Sequence, residues 1–247
     1  MPQGRGAEHL RQGRELLTIG RYGGAASAFE RAVEDGVRPE TLAYELARLA
    51  LARGDVAGAI KKLEGGLRDA DDPDERWEPP ARVLAAMRLL LLRTLIDDLE
   101  YERARAVLRS LPAADSDAWT DHERRRIGHE RARLAGGSGD LATAAGLVRG
   151  ALEDSHPGAA TSMLYAVARQ LLVEARFDEA IDLNGQLLDA FRDSPVSWQD
   201  HKTIDLRIRS AQRQFRRGMR LLERDRHARL QVCLLYTSPS PRDIHHN

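Results

Sequence analysis

The chain repeats itself. GRYGGAASAFERAV (20–33) aligns with GDVAGAIKKLEGGL (54–67) at a spacing of 34 residues, which matches Gly20 with Gly54, Ala25 with Ala59, Phe29 with Leu63 and Pro39 with Pro73. The pattern returns as LEYERARAVLRSL (99–111), GDLATAAGLVRGAL (139–152) and ARFDEAIDLNGQLL (175–188), at spacings of 45, 40 and 36 residues. Inserts therefore lengthen the later units. A period of this length implies stacked supersecondary units, none large enough to bury its apolar face alone.

Each position in the unit has a physical reading. A first helix ends at Gly20, Gly54, Leu99, Gly139 or Ala175, and glycine there suits the left-handed C-cap geometry. Two residues on, Tyr22, Val56, Tyr101, Leu141 or Phe177 fills the corner between helices. Three further, Ala25, Ala59, Ala104, Ala144 and Ala180 recur without exception. A small residue there lets two helices approach closely, and a larger one overpacks the crossing. Phe29, Leu63, Leu108 and Val148 are expected to bury into the following unit, with Asn184 the polar exception. Pro39, Pro73 and Pro195 end units, because proline cannot continue a helix. Gly136-Gly137-Ser138-Gly139 reads as a break that frays the end of its helix. The acidic stretch Asp71–Pro80 reads as a connection between the second and third units.

Composition agrees with helices. Aromatic residues are 5% and charged residues 31%, while Ala, Leu, Arg and Glu, all good helix formers, dominate. Five helix–turn–helix units of about 34 residues resemble tetratricopeptide repeats. The resemblance covers residues 6–195, as units 6–39, 40–73, 79–113, 116–154 and 158–195. It implies an all-α, right-handed superhelical solenoid whose first helices line a concave face. That family's clamp for chaperone C-terminal tails needs paired Asn and Lys in the first helices. Here Asn occurs only at 184 and 247, and Lys only at 61, 62 and 202, so that activity is not implied.

Residues 197–231 read as one long basic helix that caps the array or links it onward. Ile204, Ile208, Ala211, Phe215, Met219 and Leu222 form its apolar stripe. Residues 202–229 hold ten basic side chains against Asp205, Glu223 and Asp225, within a chain of zero net charge. Beyond it, Cys233–Asp243 resembles a translated transposase-type sequencing adapter. Residues 233–247 are therefore expected to be non-native and disordered, and the native frame to have been cut near Val232.

No nucleophile elbow, phosphate loop or metalloprotease motif occurs. His122 and His129 lie seven apart with no third ligand evident, and the lone Cys233 cannot build a zinc site. A non-enzymatic chain without a cofactor is expected. No run approaches the roughly 20 apolar residues of a membrane span, and MPQGRGAEHL lacks a signal-peptide core, so a cytoplasmic location is expected.

One column carries chemistry. Six residues before each turn position stand Arg14, Arg48, Arg93, Arg133 and Arg169. The repeat resemblance puts them on the concave face, with Leu10, Tyr44, Leu89, His129 and Tyr165 one turn earlier. Guanidinium forks there would bind carboxylates or phosphates, and Tyr44 and Tyr165 would offer flat contact area to a peptide. The same periodicity would also serve an internal ladder to Glu45, Asp97 and Glu130. The expected function is a protein-interaction scaffold that holds a peptide or domain, acidic in the sharper version. The alternatives are a regulatory segment of a larger, truncated bacterial signalling or transcription-regulating protein, and nucleic-acid contact through the basic C-terminal helix.

Overall fold

The corners between helices set the architecture. A computed structural model of the chain describes residues 3–71, 80–113, 116–117, 119–153, 157–187, 190–191, 202–206, 209–210, 212–213 and 216. The described residues are helical and contain no strand. The helices are α1 (Gln3–Thr18), α2 (Tyr22–Glu34), α3 (Ala43–Ala52), α4 (Val56–Asp71), α5 (Ala81–Asp97), α6 (Tyr101–Arg109), α7 (Asp121–Gly137), α8 (Leu141–Glu153), α9 (Pro157–Val173) and α10 (Phe177–Gln186).

Every odd-numbered helix is joined to the next by the same turn. Gly20, Leu99, Gly54, Gly139 and Ala175 all have positive φ, between 58° and 90°. The following N–H donates five residues back: Arg21 to the Leu16 carbonyl, Asp55 to Ala50, Glu100 to Leu95, Asp140 to Ala135 and Arg176 to Leu171, all at 2.8–2.9 Å. This is the paired closure in which one left-handed residue satisfies carbonyls the helix end would otherwise leave bare. The recurrent alanines then donate the first helical bond of each second helix, Ala25 to Arg21 and likewise Ala59, Ala104, Ala144 and Ala180. All five are completely buried. Tyr22, Val56, Tyr101, Leu141 and Phe177 open the second helices and are half-buried.

The chain divides into two compact units, Met1–Asp121 and His122–Asn247. In the first, α2 packs on α3, and α4 and α3 pack on α5. Phe29 and Leu63 are fully buried there, but Leu108 is only half-buried. Helix α6 is short, stopping at Arg109 before Pro112. Trp119, which the repeat pattern does not single out, is buried and donates its indole N–H to the Pro112 carbonyl at 3.3 Å.

In the second unit, α8 and α10 pack against α9 around Val148, Leu164, Leu171, Leu183 and Phe191. The expected fraying at Gly136–Gly139 does not occur. Helix α7 runs through Gly137, with Gly136 and Gly137 buried. A Cβ on Gly136 would lie 2.5 Å from Val167 Cγ1, so this glycine permits close approach of α9.

Ile204 joins the same core from the helical residues 202–206. The remaining stripe positions Ile208, Ala211, Phe215, Met219 and Leu222 lie outside the described residues. So do Pro73, Pro195, the acidic connection at 72–79 and the tail 233–247.

Two substitutions separate strain from packing. Leu99 holds φ 63° with its side chain 48% exposed, so Leu99→Gly relieves backbone strain without opening a core. It should raise unfolding stability by about 1 kcal/mol. Gly13 gives the opposite sign. A Cβ there would meet the buried Phe29 ring at 2.4 Å, so Gly13→Ala should lower stability by about 1–2 kcal/mol although it gains helix propensity. Chemical denaturation of both variants checks the pair.

Candidate binding site on the first helices

The arginine column divides into two kinds of residue. In the first unit Arg14 stands on α1, Arg48 on α3 and Arg93 on α5. Glu45, one turn before Arg48, is buried with its side chain only 4% exposed. Its Oε1 accepts from Arg14 Nε at 2.7 Å, across α1 and α3, and its Oε2 accepts from Arg48 Nη1 at 3.2 Å. The Arg48 guanidinium lies over the Tyr44 ring, 5.8 Å from its centroid, within cation–π range.

One buried carboxylate thus holds two guanidiniums, and the cluster keeps one net positive charge. Arg14 and Arg48 remain 54% and 39% exposed. Their other N–H donors meet no acceptor among the described residues. Arg93 lies 3.8 Å from Asp97, and both are about half-exposed. That distance is too long for a hydrogen bond, and such an exposed pair contributes little.

The second unit treats the column differently. Arg133 on α7 is only 13% exposed. It donates to Glu130 at 2.8 Å and to Gln170 on α9 at 2.9 Å. Gln170 donates to Glu174, and Glu174 accepts from Arg176, which also bonds Glu179 and the Gly137 carbonyl. Arg133 is therefore one member of a continuous polar chain joining α7, α9 and α10. Arg169 is exposed and has no ion pair among the described residues. Tyr165, one turn before it, is 43% exposed, the same spacing as Tyr44 and Arg48.

Further arginines join neighbouring hairpins from outside the column. Arg53 donates to the Tyr22 carbonyl, Arg103 to Glu64 and Arg149 to the Gln186 carbonyl. Period-based reading misses these, and misses Gln170 and Glu174, because none recurs through the five units: Arg149 shares its register position only with Arg109, and the others each occur there once. The sequence marks Glu45 and Glu130 as acidic neighbours but carries no sign that Glu45 serves two arginines.

No group of three metal-ligating side chains occurs among the described residues. His122 is exposed on α7, and His129 is half-buried. Burial pushes the His129 pKa down, the nearby Arg126 acts in the same direction, and a hydrogen bond with the Ala159 backbone opposes both. No helix among the described residues is long and apolar enough to cross a membrane. No family model, no curated protein and no solved structure matches the chain.

Two consequences are measurable. Truncating Arg14 and Arg48 together strands a buried carboxylate. It should cost about 3 kcal/mol, the low end for such a loss, because water reaches the half-exposed partner positions. Adding Glu45→Gln should recover most of that in denaturation midpoints. The folded state also favours neutral His129, so its contribution is complete above the unfolded pKa of about 6.5. It is lost as pH falls from there through the lowered folded value. Titrating stability from pH 7.5 to 5 should show a smaller decline in His129→Gln than in the parent.

Proposed function

We propose that the five hairpins are tetratricopeptide-like repeats of a non-enzymatic scaffold, and that Arg14, Arg48 and Arg93, with Tyr44, take an acidic peptide or acidic protein segment. The observation that carries this reading is the incomplete satisfaction of Arg14 and Arg48. Both are oriented by Glu45, and both keep outward-facing donors in water. A guanidinium held in place loses less entropy on binding than one ordered by the ligand itself. Arg169 and Tyr165 on α9 repeat the Arg48–Tyr44 spacing, but Arg169 has no orienting ion pair among the described residues.

Arg133 is withdrawn from this role because its donors already meet Glu130 and Gln170. The repeat assignment rests on the fivefold corner and its buried alanine. The superhelical arrangement belongs to the proposal. Nucleic-acid contact through the basic segment would fall on ten side chains, of which Lys202, Arg209, Arg213 and Arg216 are among the described residues.

A fluorescein-labelled decapeptide of glutamate, with a lysine decapeptide as control, tests the reading by anisotropy at low and moderate salt. The acidic probe should bind and the basic one should not. Arg14→Gln/Arg48→Gln in a Glu45→Gln background, which strands no buried charge, should weaken binding roughly tenfold or more, as expected for the loss of charge-assisted hydrogen bonds. Arg133→Gln should leave it within about twofold. Equal binding of the acidic probe by parent and triple variant would refute the assignment.

A further inference from the structure

Arginine recurs at one register position, but the first unit does not use its three copies equally. Arg14 Nε and Arg48 Nη1 meet the two oxygens of a single carboxylate, Glu45, at 2.7 and 3.2 Å. Glu45 is buried, so it fixes both guanidiniums at once. Tyr44 lies under the Arg48 guanidinium and narrows the directions it can turn. Two cations gathered on one anion stand side by side and carry one net positive charge. That charge matches one acidic group rather than two.

Arg93 is a separate point. It stands on α5 at the register position that Arg48 holds on α3, and its side chain is 52% exposed. Its neighbour Asp97 lies at 3.8 Å, beyond hydrogen-bond distance. The three helices belong to the first compact unit, and α3 packs on α5. Packed helices lie about 8–10 Å apart, axis to axis. Side chains at equal register on two such helices therefore start about one helix spacing apart.

We propose that this face reads the distance between two carboxylates, an inference that rests on the acidic-segment reading above. The Arg14–Arg48 pair takes one acidic side chain, and Arg93 takes a second. The ligand class is a polypeptide whose two acidic residues lie one helix spacing apart on one side, rather than a dense acidic run. Polyproline II geometry provides that arrangement, because residues three apart lie on one side and about 9 Å from each other.

Three labelled decapeptides serve as rulers for anisotropy on the full chain, at the salt concentration where the glutamate decapeptide binds. The spaced ruler is Gly-Pro-Glu-Pro-Pro-Glu-Pro-Pro-Pro-Gly. The adjacent ruler has the same composition, as Gly-Pro-Glu-Glu-Pro-Pro-Pro-Pro-Pro-Gly. The third, Gly-Pro-Glu-Pro-Pro-Glu-Pro-Pro-Glu-Gly, adds one more acid at the same interval. The spaced ruler should bind at least about fivefold more tightly than the adjacent one, as expected for one further charge-assisted hydrogen-bonded contact. The third acid should change affinity by less than about twofold. Arg93 is half-exposed and its truncation opens no core, so Arg93→Gln should fold. It should bring the spaced ruler within about twofold of the adjacent one and leave binding of the adjacent ruler as in the parent.

The spacing rule is overturned if the parent binds spaced and adjacent rulers alike, or if the preference survives Arg93→Gln. The sharing of one acid by Arg14 and Arg48 is overturned if the third acid tightens binding as much as the second. A glutamate decapeptide that binds while the rulers do not discriminate removes only this inference. One that binds the parent no better than the Arg14→Gln/Arg48→Gln/Glu45→Gln variant removes the acidic-segment reading as well.

Discussion

One backbone device supports the rest of the molecule. At each of the five corners a single residue turns left-handed, and the next N–H reaches back five residues to a carbonyl of the helix just ended. That closure fixes the angle at which the second helix leaves. It also sets the first-turn alanine against its neighbour, where any larger side chain would push the helices apart. Packing then follows from geometry already imposed by the main chain. The device tolerates imperfect residues. Leu99 and Ala175 adopt the conformation without glycine's freedom, which shows that the surrounding packing over-determines the turn.

Much of this was legible in the sequence. The corner, the crossing alanines and the first-helix arginines each recur at a fixed position, and recurrence is what a reader without coordinates can detect. What occurs once was not legible. The glycines at 136 and 137 look like a break, yet they are helical, because the Val167 side chain needs the space a Cβ would take. Trp119 lies in the chain between α6 and α7, and nothing periodic marks it as core. In the arginine column, position predicts that a guanidinium is present but not how it is used. Arg133 is enclosed because Gln170 happens to face it from α9, whereas Arg14 and Arg48 divide one carboxylate and stay half in water.

The contacts between hairpins suit arginine rather than lysine. Arg14 and Arg133 each contact a residue of the next hairpin through a directed N–H, and Arg133 reaches two acceptors on different helices at once. An ammonium has no planar fork with which to do this. The guanidiniums therefore have two employments, alignment of adjacent hairpins and presentation of charge to solvent, and Arg14, 54% exposed while bonded to Glu45, serves both.

Three of the inter-hairpin contacts end on main-chain oxygens. Arg53 meets the Tyr22 carbonyl, Arg149 that of Gln186 and Arg176 that of Gly137. Gln186 and Gly137 are the last residues of their helices, where the peptide dipoles leave partial negative charge. A neutral carbonyl loses less to mobile ions than a carboxylate does, since only the ionic part of the attraction is screened. Brine strong enough to dissolve the surface pairs would leave these tethers largely intact, and hairpin order would outlast surface electrostatics.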